Sequence, residues 1–116
     1  MARRRITHPD GRAAVQAWAE GQDDRRTLAT AVRYLLEELS ERAPGGAVEV
    51  RVPPFGVTQC MAGTAHTRGT PPNVVELTPA TWLEVATGRL AWGQALQAGR
   101  ITASGTRADL SRVLPL

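Results

Sequence analysis

Asn73-Val74-Val75-Glu76-Leu77-Thr78-Pro79-Ala80-Thr81-Trp82-Leu83-Glu84-Val85-Ala86-Thr87-Gly88 is the stretch on which the fold turns. Val75 and Leu77 flank Glu76 with the period of a strand buried on one face. Thr78 followed by Pro79 is a good N-cap and first-turn pair, which predicts a helix over 80–87 with Gly88 as its stop. Further on, Trp92, Ala95 and Leu96 suggest a short helical turn, and Ile101 and Ala103 alternate with Arg100, Thr102 and Ser104 as another strand. Thr106 with Asp109 three residues on resembles a capping box, so a last helix is predicted over 108–113, carrying Leu110 and Val113 and ended by Pro115.

Working back toward the start, residues 65–73 have neither period and are rich in Gly, Pro and Thr, so they read as a loop. Val48, Val50 and Val52 alternate with Glu49 and Arg51 as a half-buried strand, Pro53-Pro54 interrupts it, and 57–61 reads as a second strand. Leu28, Val32, Leu35, Leu36 and Leu39 keep helical spacing, Asp23 or Asp24 supplies a cap, and Pro44-Gly45-Gly46 ends that helix. A first helix opens at His8-Pro9-Asp10, with Ala13, Ala14, Ala17 and Trp18 as its stripe and Gly21 as its end. The order αα-ββ-β-αα-β-α describes an α+β open-faced sandwich, a mixed sheet of four to five strands with helices on one face. Residues 1–8 read as a disordered basic tail and 9–116 as a single domain.

All 14 basic residues are arginine, set against 11 acidic ones, for a net charge of +3. Residues 1–12 hold four arginines and one aspartate, which accounts for the whole excess. The body is therefore neutral, unlike the basic face of a nucleic-acid-binding domain, and no nucleic-acid partner is expected. The chain has no run long and apolar enough for a membrane span and no secretory signal, so at most transient membrane contact is expected. One cysteine, Cys60, suits a reducing compartment, and a cytoplasmic location is expected. Two histidines, His8 and His66, make no His-rich metal site, and no nucleophile motif or phosphate loop appears. Cys60 in a predicted strand is more often a small hydrophobe than a nucleophile.

Residues 73–90, followed by Ala95, Gly99, Arg100-Ile101 and Gly105, resemble the sterol carrier protein type 2 domain. That family has a strand, a helix ending in a Gly-x-Leu turn (here Gly88-Arg89-Leu90), a short helix, and glycines before the next strand and the last helix. The long helix running into a valine-alternating strand fits the family's first half. The segment 51–72 departs from the general family and looks closer to a branch of bacterial single-domain orthologues. The first helix is not a general family feature. The resemblance implies helices and a mixed sheet around an apolar tunnel for a fatty acid, acyl-CoA, sterol or phospholipid, with no cofactor and no catalytic residues.

On that resemblance the apolar cavity candidates are Trp82, Leu83, Ala86, Leu90, Trp92, Leu96, Ile101, Leu110, Val113 and Leu114. For any one of them the residues themselves favour a role as core, because a domain this small needs its large side chains to close one, and the cavity role rests on the resemblance. Such a site carries no polar motif, since burial alone gives roughly 25 cal/mol per Å². His66 and Arg68 are head-group candidates, with a solvated loop as the alternative. The expectation is a monomeric, non-enzymatic binder and transporter of a hydrophobic small molecule or lipid. A protein-interaction module that keeps the fold but has filled the cavity stands as the alternative.

Overall fold

The structure, a computed structural model, describes residues 5–63 and 73–116. Local sequence signals account for most of its elements. Thr7 caps α1 (His8–Ala19), its side chain accepting the Asp10 N–H, and Pro9 and Asp10 sit in the first turn. Asp24 caps α2 (Arg25–Arg42), its carboxylate taking the Thr27 N–H at 3.1 Å and the Thr27 hydroxyl at 2.8 Å. Those two bonds, the hydroxyl's first, hold the Asp24 pKa below its ordinary value. Thr78 caps α3 (Pro79–Thr87), and Gly88, at φ 85, ends it in the left-handed conformation glycine tolerates best.

Strands β1 (Val48–Val52), β2 (Gly56–Cys60), β3 (Val74–Leu77) and β4 (Ile101–Ser104) form one mixed sheet in the order β2-β1-β3-β4. β1 is antiparallel to β2 and parallel to β3, and β3 is antiparallel to β4. Register places Val50 opposite Val75, and Val48 opposite Cys60, all buried on the helical side. Glu49, Arg51, Val57 and Glu76 take the opposite face, where Arg51 pairs with Glu49 at 2.5 Å. Val57 is 59% exposed there, because β2 begins at Gly56 and its alternation turns Val57 away from the core. α2 and α3 cover the inner face, α1 packs on α2, and the short α4 (Trp92–Gln97) leads into β4.

The core joins α2 to the sheet and α3. Trp82 is fully buried, and its indole N–H donates to Val32 O at 3.3 Å across 50 residues. Asn73 is nearly as deep: its amide N–H donates to Ala47 O at 2.9 Å, and its Oδ1 accepts the Arg107 N–H at 2.9 Å. One side chain therefore ties the strand β3 to the approach to β1 and to the turn after β4.

Three expectations need correction. No helix forms over 108–113: that stretch is turns and irregular chain. At the start of that stretch Asp109 folds its carboxylate back onto the Ser111 N–H at 2.8 Å, a local turn that competes with a helix, and the Arg107 N–H is drawn to Asn73. Ala13 is exposed; the side of α1 turned to the body carries Gly11, Ala14, Val15 and Trp18 instead. The packed chain also begins ahead of Pro9. The Arg5 and Ile6 N–H groups donate to the Glu37 carboxylate at 3.1 and 3.2 Å, and His8 lies in α1.

Candidate functional site

Two spaces open beside the C-terminal end of α3, one on each side of the strip formed by Leu114, Pro115 and Leu116. The first is a mainly apolar cleft of about 320 Å³, lined by Val85, Leu90, Trp92, Gly93, Leu114 and Pro115 among others. Local sequence builds it. Gly88 ends α3, the chain turns through Leu90, and α4 starts at Trp92, so two large apolar groups come round to face the strip. Pro115 sits 3.3 Å from where a Gly88 Cβ would stand, so the glycine also makes room for the strip. The Leu116 N–H, bonded to Ala86 O at 2.9 Å, pins the strip across α3.

The second space, about 590 Å³, is a groove between α1, α2 and the end of α3. α1 contributes His8, Arg12, Val15 and Gln16, spaced i, i+4, i+7, i+8 and hence on one helical face. α2 contributes Tyr34, Leu35, Glu38 and Arg42, and Ala86, Thr87 and Leu116 close the far side. His8 Nδ1 stands 3.0 Å from the Tyr34 hydroxyl and 3.6 Å from Glu38, which also pairs with Arg42 at 3.1 Å.

The expected cavity residues divide between these places. Leu90, Trp92 and Leu114 line the cleft, and Ala86 lines the groove. Trp82, Leu83 and Leu110 are wholly buried in the core, and Ile101 nearly so. Val113 is partly buried against the core, while Leu96 is 44% exposed. His66 and Arg68 lie outside the described residues. The groove went unnoticed in the sequence because its halves belong to two helices, although the face His8, Arg12, Val15, Gln16 follows from helical spacing.

Among the described residues no group of three or more His, Cys, Asp and Glu could hold a metal ion, and no helix is long and apolar enough to cross a membrane. Cys60 is fully buried, and burial pushes its thiol from 9.0 up to about 11, which suits a packing role. The site is thus a pair of recesses whose chemistry is apolar contact on one side of the strip and, on the other, apolar contact mixed with the charged groups Arg12, Arg42 and Glu38. No curated protein matches the chain. The sequence model of the bacterial SCP ortholog family matches residues 24–116, leaving α1 outside the match, and the chain belongs to that family of sterol carrier protein-like domains.

Proposed function

We propose that the protein is a non-enzymatic carrier that takes up and releases a hydrophobic ligand such as a fatty acid, acyl-CoA, sterol or phospholipid. The observation that carries this reading is membership of the bacterial SCP ortholog family over most of the chain, a family with a lipid-binding carrier role. The cleft between Leu90, Trp92 and Leu114 is the apolar seat, and its 320 Å³ falls within the usual size of small-molecule sites. The test is native mass spectrometry of the freshly purified protein with solvent extraction of what travels with it. A stoichiometric lipid supports the carrier and names its cargo. Titration with a fatty acid should also change Trp92 emission saturably, a change that Trp92→Phe removes.

A second reading is an interaction module with a filled interior. It is favoured by Trp82, Leu83 and Leu110, each with no exposed surface where a deep tunnel would need lining. A clean apo mass, unchanged after incubation with fatty acids, acyl-CoA and sterols, decides for this second reading.

A further inference from the structure

The groove between α1 and α2 has chemical direction. His8 faces Glu38, and Gly11 faces Tyr34, so moving forward along α1 means moving back along α2 and the two helices run antiparallel. The groove therefore has a polar end, where Arg42 and His8 gather around Glu38. Further along, Val15 and Leu35 give it an apolar floor that runs on to Ala86 and Leu116. Arg12 stands between, one helical turn from His8. Arg42 is paired with Glu38, but no described residue within ion-pair distance neutralises Arg12. A cation left in a concave, half-apolar recess is a receptor for an anion, and a guanidinium binds a carboxylate or phosphate in a fork.

We infer that the groove is the head-group site for an amphiphile with one anionic head. The head meets the Arg12 guanidinium, and the chain lies along Val15, Leu35 and Ala86 toward the 114–116 strip, whose far side is the apolar cleft. This rests on the carrier reading and narrows its ligand class to anionic amphiphiles. Neutral sterols and alcohols would have only the apolar contacts. Because Arg12 belongs to α1, which lies outside the family match, the preference would be a property of this chain rather than of the family domain.

The experiment measures dodecanoate, dodecanol and inorganic phosphate binding to the full chain and to Arg12→Ala, an exposed position whose replacement leaves the core intact. The expected result is dodecanoate binding at least about fivefold tighter than dodecanol, a preference that Arg12→Ala abolishes while leaving dodecanol affinity unchanged. Raised salt should shrink the same preference. Equal affinities for acid and alcohol, or a preference that survives Arg12→Ala, overturn the inference and leave the carrier reading standing. Phosphate binding as tightly as dodecanoate overturns it in favour of a small-anion site. Failure of both dodecanoate and dodecanol to bind overturns the inference and the carrier reading together.

Discussion

Gly11 lies directly under the ring of Tyr34: a Cβ on Gly11 would stand 2.1 Å from Cδ1 and 2.2 Å from Cγ. No side chain fits there, so glycine is what lets α1 lie close on α2. Gly11→Ala must displace the ring or the helix, although alanine is the better helix former. Overpacking of this kind typically costs about 1–3 kcal/mol. The expected outcome is a lower Tm and loss of dodecanoate binding, with far-ultraviolet circular dichroism still showing the sheet. An unchanged Tm would mean the two helices do not make this contact.

Asn73 should matter more for stability than any other polar side chain in the sheet region. Asn73→Ala leaves Ala47 O and the Arg107 N–H without their partner in a buried place. Unsatisfied groups of this sort cost about 1–3 kcal/mol, which lowers Tm on the order of 10 °C for a domain this size. Asn73→Asp puts a carboxylate oxygen against Ala47 O and buries a charge, so it should be at least as destabilising as Asn73→Ala at neutral pH. Thermal denaturation of the three proteins gives the ranking.

Gly93 offers a way to close the cleft without touching the core. It lines the cleft, it lies in α4, and nothing stands within 4 Å of where its Cβ would be. Leucine at this position gains up to about 1 kcal/mol in helix propensity over glycine. Gly93→Leu should therefore keep or raise Tm and suppress the saturable Trp92 response, while the Arg12-dependent preference for dodecanoate over dodecanol persists. Arg12→Ala, by contrast, should weaken only the acid. Titrations of both variants separate an apolar seat from a head-group site.

Cys60 should be chemically silent in the native protein. With its thiol pushed to about 11, only about one molecule in a thousand is thiolate at pH 8, and the sulfur is out of solvent. A disulfide reagent should label it only in denaturant. The native state holds this proton more tightly than the unfolded chain does. Its contribution to stability is therefore complete below pH 9.0, the ordinary value, and is lost as pH rises toward 11. Denaturation curves at pH 8 and pH 10.5 should show that decline, and Cys60→Ala should reduce it.

Where a residue's partner lies a few positions away, the sequence was readable. The stripe Val32, Leu35, Leu36, Leu39 is buried as its spacing predicts, and Thr78, Pro79 and Gly88 bound α3 as expected. The misreadings all involve distant partners. Thr106 and Asp109 have the spacing of a helix start, but Arg107 is committed to Asn73, 34 residues earlier. Asn73 itself read as the end of a loop, because its bond to Ala47 spans 26 residues. Ala13 is as apolar as Ala14, and the larger Val15 and Trp18, with the close approach at Gly11, set which side of α1 turns inward. Of the candidate site, Leu90, Trp92 and Leu114 were foreseeable as apolar groups near turns, whereas the groove needs the pairing of two helices to exist at all.

The attachment of α1 has a consequence for how the molecule breathes. Besides its packing on α2, it is held near its ends, by Glu37 receiving the Arg5 and Ile6 N–H groups and by Arg89, which donates to Ala19 O at 3.3 Å and lies 4.8 Å over the Trp18 ring. None of these ties passes through the sheet. α1 can therefore swing out as a separate cooperative unit, and its amides should exchange with deuterated water well before those of α2, β1 and β3. A ligand lodged along Val15 and Leu35 would slow that exchange without altering the slowest amides of the sheet.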